Sequence, residues 1–278
     1  MTSRVTHVRL TPDKPVQPGT ELLFGLPPDT PEQRVLKVEV SGAEDLRQIN
    51  ALNSPQAALT MVSVAGVSPS VEITFADEAG SFPEWIFQST GGAHETPSAD
   101  LLQLIADIAP SELAPAQRVE RIVHHVEARF TYGARDVGLG DDVEAMPALA
   151  CDTHLGTCVD THSYAVAAMR AAGFPAAYVS GLFFHEGRKN SEPGHSWFVV
   201  DAPGAPHHWD ISHFLKYGLG PVRPVFNPKP GTRFAMSIGR DLVFKGRSGQ
   251  ETFARLSGFH RFGGDAPGQK LATLAEIL

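Results

Sequence analysis

The stretch Gly156-Thr-Cys158-Val-Asp160-Thr-His-Ser-Tyr-Ala-Val-Ala-Ala-Met-Arg-Ala-Ala-Gly173-Phe-Pro175-Ala-Ala-Tyr-Val-Ser-Gly-Leu-Phe-Phe184 decides the fold. Its first part predicts a helix over Cys158–Ala172 closed by Gly173, and Pro175 then opens an apolar run, Ala176–Phe184, that reads as a strand. Upstream lies a Gly/Asp/Pro-rich loop from Gly133 to about Gly156. Two helices are predicted before it. One covers Ala99–Ile108, with Ser98 as N-cap, apolar residues at 101, 104, 105 and 108, and a stop at Pro110. The other opens at Pro115 and carries Val119, Ile122, Val123, Val126 and Phe130 on one face, while Arg118, Glu120 and Arg121 read as its solvated side. Downstream, His195–Val200 and His207–Ile211 predict short strands around the turn Asp201–Pro206. A proline-dense loop over 221–230 follows, then a strand over Phe234–Phe244.

Residues 1–92 have a different grammar. Val5–Leu10, Val35–Val40, Leu59–Val64 and Ser70–Phe75 alternate with period two, and no sustained helical period occurs. Helices followed by strands, preceded by an all-β region, make an α+β protein. The expected organisation is an N-terminal β-rich domain at 1–92 and a second domain at 93–278 ending in a C-terminal strand extension, with the boundary near Gly91–Thr96.

Composition excludes several classes. The chain has 278 residues, 42% hydrophobic and 19% charged, so it can bury a core without staples and is not disordered by composition. Its 26 glycines and 22 prolines imply many turns. A net charge of −8 argues against nucleic acid or an anionic membrane as partner. No apolar run is long enough to span a bilayer, and Met1–Leu10 lacks the apolar core of a secretory signal, so a cytoplasmic location is expected. Two cysteines do not make a disulfide framework.

Three segments carry chemistry: Gly156-Thr-Cys158-Val-Asp160, Gly194-His195-Ser-Trp197 and His208-Trp-Asp210-Ile-Ser-His213. A thiol at a helix start faces unpaired N–H groups and the positive end of the dipole, which favour thiolate. A histidine on a strand can hold that thiolate and protonate a leaving amine, and a carboxylate can orient the imidazole. If His195 and Asp210 face each other on adjacent antiparallel strands, their Cβ atoms lie about 5 Å apart.

From about Ala99 to Phe214 these features resemble the transglutaminase-like superfamily of papain-like thiol enzymes. The resemblance is carried by Phe130-Thr-Tyr132-Gly at a helix end, by Gly156-Thr-Cys158-Val-Asp160, by His195-Ser-Trp197 and by Trp209-Asp210, in that order. It implies a core of helices packed on an antiparallel sheet, preceded by a small β domain as in bacterial members. It also implies that Cys158 is the nucleophile, His195 the acid/base and Asp210 the orienting carboxylate. The tail Ile238-Gly-Arg-Asp241 is similar to the family's closing strand. The chain departs from many members in following Asp210 with Ile211-Ser212 rather than Pro-Thr.

The implied reaction is acyl transfer through a thioester on a peptide-like amide, with a peptide or protein as substrate. Hydrolysis makes a peptidase or amidase, and an amine acceptor makes a transglutaminase or amide-forming acyltransferase. A non-catalytic binding domain on the same fold is the alternative of a different class. The backbone N–H of Cys158 is the expected oxyanion donor. Three further residues stay open between two roles. Tyr132 resembles a position near the site or is core, Asp160 resembles a family position or is a first-turn helix acid, and Trp197 is cleft wall or core.

No cofactor is implied, and no metal. The spacing Cys151-x2-His154-x3-Cys158 and the cluster His207, His208, His213 offer zinc ligand types without a second clear pair. No acidic calcium loop occurs. His154, His162 and His185 read as surface or cleft-edge residues. Cys151 reads as a spectator, with a regulatory disulfide to Cys158 as the alternative.

Overall fold

The structure, a computed structural model, describes residues 4–77, 81–140, 143–192, 194–205, 207–247, 249–263 and 268–278. Six strands come first: β1 (Val5–Pro12), β2 (Glu21–Gly25), β3 (Arg34–Ser41), β4 (Ala43–Asn50), β5 (Ala57–Ser63) and β6 (Ser70–Ala76). Helices α1 (Ala99–Ile108) and α2 (Pro115–Arg129) follow, then β7 (Phe130–Tyr132), β8 (His154–Gly156) and α3 (Cys158–Ala171). The rest is β9 (Ala176–His185), β10 (His195–Val200), β11 (His208–Trp209), α4 (Ile211–Tyr217), β12 (Gly231–Ile238), β13 (Leu242–Gly246), β14 (Gly249–Phe253), β15 (Phe259–Arg261) and β16 (Thr273–Ile277). The α+β order expected from sequence is present.

The chain folds into two compact units. The first comprises Met1–Ile86, Ser180–His195 and Pro230–Leu278, and the second Phe87–Val179 and Ser196–Lys229. The first unit is thus discontinuous in sequence. Its two four-stranded sheets have the orders β16-β1-β6-β3 and β15-β2-β5-β4. The C-terminal strands, read from sequence as an extension of the catalytic region, pair with the N-terminal ones: Val8 opposes Ile277 and Phe24 opposes Phe259.

Alternation explains the inward face of β1, where Thr6, Val8, Leu10 and Pro12 are buried and Val5 and His7 are exposed. Side chains of both sheets meet in one core with Phe75 stacked on Phe234 at 4.4 Å and Phe24 against Phe259 at 5.0 Å. A fully buried aromatic of this kind contributes about 1.5–3 kcal/mol, so N- and C-terminal segments depend on each other for core. A smaller cluster, containing Leu23, Phe244, Phe253 and Leu256, completes the unit.

One expectation is corrected here. The single strand predicted over Phe234–Phe244 is two, β12 and β13, because Gly239 and Asp241 turn the chain at φ 93° and 54°. Strand β4, with most of its residues exposed, has no apolar alternation to announce it. It is held by pairing with β5, with a register shift between Glu44 and Arg47 where Asp45 takes φ 53°.

The second unit holds the four helices. Ser98 Oγ accepts from Leu101 N–H and caps α1, and Pro115 starts α2, whose buried face is Val119, Ile122, Val123 and Val126. Phe130, expected on that helix, has extended dihedrals (φ −125°, ψ 141°) and begins β7 instead. Arg118, expected in solvent, donates from Nε to the Ala109 carbonyl and from an Nη to Ala172, tying down two helix ends. Helix α3 is the centre of the unit: Asp160 through Met169 are all buried. Its small alanines leave no polar face, as befits a helix surrounded on every side. Strands β9 and β10 are buried almost throughout and read as continuous apolar runs for the same reason.

In the first unit, His260 on β15 is 2% exposed. Burial, and then the charges of Lys270 and Arg255, push its pKa down to about 3 from 6.5. The unfolded chain therefore takes up a proton near pH 6.5 that the folded chain refuses until about pH 3. Stability from this group is fully present above 6.5 and is lost on acidification through that window, at up to about 1.4 kcal/mol per pH unit. His260→Leu removes the dependence, so the stability gap between wild type and variant should narrow in chemical denaturation as pH falls from 6.5 towards 4. A gap that stays constant would show that His260 does not titrate this way.

Candidate active site

Cys158 is the first residue of α3, half-buried and in no disulfide among the described residues. What puts it there is a capping box. Thr157 Oγ1 accepts from Val159 N–H at 3.2 Å, and Asp160 Oδ2 accepts from Thr157 N–H at 2.9 Å and from its hydroxyl at 3.0 Å. Asp160 Oδ1 also accepts from Leu139 N–H at 2.8 Å, pinning the preceding loop to the helix start. Of the two roles open for Asp160, its contacts display the first-turn acid: it is 5% exposed and binds backbone.

Gly156 explains itself by space. A Cβ there would lie 2.6 Å from Phe130 Cδ1 and 3.1 Å from Asp160 Cβ. Strand β7 runs parallel to β8 with Tyr132 opposite Gly156, and Gly133 N–H donates to the Gly156 carbonyl at 3.1 Å. Tyr132 is therefore bound through the backbone to the residue two before Cys158, with the Lys216 ammonium 5.6 Å above its ring centroid.

The segment around Asp210 differs from expectation. Strand β11 is only His208–Trp209, and Asp210 is the N-cap of α4, a helix that the alternation through Ile211 concealed. Pro206, at the end of the predicted turn, lies outside the described residues. Strands β10 and β11 pair Phe198 with Trp209. Continued by one pair, that register sets Asp210 opposite Trp197. His195 heads β10, 5% exposed, with its ring edge-on to Phe183 at 6.1 Å. Trp197, two residues along the strand, is 2% exposed.

Asp210 is completely buried. Its Oδ1 accepts from the Ser212 hydroxyl at 3.0 Å and from His213 N–H at 3.1 Å, and its Oδ2 lies 3.1 Å from His213 Nδ1. Two histidines are thus added to the predicted set. His162, expected near the surface, is fully buried, with Nε2 accepting from Ser212 N–H at 3.3 Å and only 3.7 Å from Asp210 Oδ1. Through that contact His162 braces the α4 start. His213 was concealed together with α4; Asp210-x-x-His213, an N-cap acid followed by its N3 residue, was the signal for both.

Among the described residues, Cys151, His154 and Cys158 do not gather as a ligand group. His207 Nδ1 lies 3.0 Å from the Val200 carbonyl and His208 packs on Phe226, so the three downstream histidines go separate ways. Cys151 is an exposed free thiol. His185 Nε2 lies 2.6 Å from Glu192 Oε1. No helix among the described residues is long and apolar enough to cross a membrane.

Comparison with known proteins adds two findings. Residues 103–214 match the model of the Transglutaminase-like superfamily. No curated protein sequence matches the chain. The chain is similar to a crystal structure from Cytophaga hutchinsonii, of a protein provisionally described as a cysteine protease, with a TM-score of 0.54 and 13% identity over 100% of this chain and 99% of that one. At that identity the likeness is one of fold. Residues 103–214, which include Cys158, His195 and Asp210, thus match the transglutaminase-like superfamily, and the fold is α+β.

Proposed function

We propose that the chain is a cysteine-dependent acyl-transfer enzyme, with Cys158 as nucleophile, His195 as acid/base and Asp210 as the carboxylate that orients the imidazole. The family match supports a thiol-dependent enzyme. The observation that carries the reading is a half-buried thiol on the capped first residue of a helix, within the segment that matches the transglutaminase-like model.

In the proposed reaction the Cys158 thiolate attacks the carbonyl carbon of a peptide-like amide. The oxyanion that forms is held by the Cys158 backbone N–H at the positive end of α3. Collapse of the tetrahedral intermediate breaks the C–N bond, and the leaving amine takes its proton from the His195 imidazolium, leaving a thioester. His195 then removes a proton from water, hydroxide adds to the thioester carbon, and the acid departs as thiolate re-forms. An amine in place of water gives a new amide. Hydrolysis is the preferred reading. Asp160 acts here as a positioning residue through Thr157 and Leu139.

Iodoacetamide should alkylate Cys158 far faster than a denatured control at neutral pH, scored by peptide mass so that the exposed Cys151 is counted separately. His195→Ala should abolish that advantage. Its survival, with loss on His213→Gln instead, would move the base to His213. Cys158→Ser should eliminate turnover with an unfolding free energy within about 1 kcal/mol of wild type; a larger loss would make the residue packing rather than chemistry.

Asp210→Asn keeps an acceptor for the α4 cap, so it should fold while turnover falls by roughly 10³–10⁴. Unchanged turnover would remove Asp210 from the mechanism. Glutamine peptides incubated with and without a primary amine, read by mass, should give deamidated or cleaved product in both cases. Exclusive amine incorporation would establish the transferase instead.

A further inference from the structure

We propose that the first unit carries a second recognition site, a cleft of about 450 Å³ that binds an organic carboxylate. The inference is independent of the reaction proposed above and holds whether or not Cys158 is reactive. The cleft is lined by two cations, Arg255 and Lys270, together with Ser191 and Ser257. Lys270 is held in place: its ammonium donates to Ser257 Oγ at 2.7 Å. The main chain presses against the same pair. A Cβ on Gly194, which has φ +86°, would lie 2.9 Å from Lys270 Nζ and 3.1 Å from Ser257 Oγ. An ammonium fixed this way is preorganised for an anion.

The two cations project a field strong enough to act on a neighbour, since Lys270 and Arg255 both add to the downward push on the buried His260 pKa. That field stands out in a chain of net charge −8. Among the described residues the lining contains a single acid, Asp13, and that balance favours a monoanion over a phosphate dianion. Leu182, Leu271 and Leu274 form an apolar wall, which suits an anion with an aliphatic body rather than an inorganic ion. The chemistry that fits is the carboxylate of a peptide, from a free C-terminus or from an Asp or Glu side chain. Gly194 lines the cleft and is bonded to His195, so an occupant would lie beside the residue preceding the proposed acid/base.

The test is a titration of the full-length, ¹⁵N-labelled protein followed by amide resonances. N-acetylalanine supplies a C-terminal carboxylate, N-acetylglutamic acid α-amide a side-chain carboxylate, and N-acetylglutamine amide neither; sodium sulfate is the inorganic control. At least one of the two acids should shift the amides of Gly194, Ser257 and Lys270 and bind about ten- to a hundredfold tighter than the neutral amide, as charge-assisted hydrogen bonds require. Which acid binds identifies the source of the carboxylate. Lys270→Gln and Arg255→Gln should each weaken that binding about tenfold. Equal binding of the neutral amide, shifts confined to other residues, or a response to sulfate alone would each overturn the proposal. The comparison of acid with amide on the wild-type protein decides even if a variant does not fold.

Discussion

A carboxylate taken out of water has to be answered by donors, and Asp210, with no exposed surface, is answered locally by a hydroxyl and a backbone N–H, with the His213 imidazole nitrogen 3.1 Å away. That requirement shapes everything around it. The Ser212 and His213 amides are available only where a helix begins, so β11 has to end at Trp209 and α4 has to start at once. The Ser212 N–H in turn reaches His162 on α3, which links the start of one helix to the interior of another. Removing any member leaves a buried polar group unpartnered, an outcome that costs more than the bond itself contributes.

The same economy governs the start of α3. Asp160 meets its burial by accepting from Thr157 twice and from Leu139 once, so one acid fixes both the helix cap and the loop in front of it. Gly156 lets the chain pass between the Phe130 ring and the Asp160 side chain, where any larger residue would meet carbon at 2.6 Å. The position of the Cys158 sulfur is therefore set by groups that do not themselves react.

Local signals made α1, α2 and α3 legible, because Ser98, Pro115 and Gly173 mark their limits by chemistry that acts over a few residues. Helix α4 was not legible in the same way: His208-Trp209 continues an apolar alternation, and Asp210 could be read as strand or cap. The charged strand β4 and the break between β12 and β13 depend on a partner strand and on two positive φ angles. Around the candidate site, the thiol's place at a helix tip followed from sequence. The burial of His162 and the proximity of His213 to Asp210 follow from packing, to which histidine spacing alone is blind.

The pairing of β1 with β16 and of β2 with β15 has a consequence for synthesis. On a ribosome adding about 5–20 residues per second, the edges of β1 and β2 emerge well over ten seconds before the strands that cover them. The N-terminal sheets are nascent and incomplete throughout that interval, with unpaired backbone exposed to other chains. Closure across such long sequence separations also slows folding, since the loop entropy is lost before the contacts return it. The helical unit is made in between, so it can condense while the β unit is still waiting for its last strands.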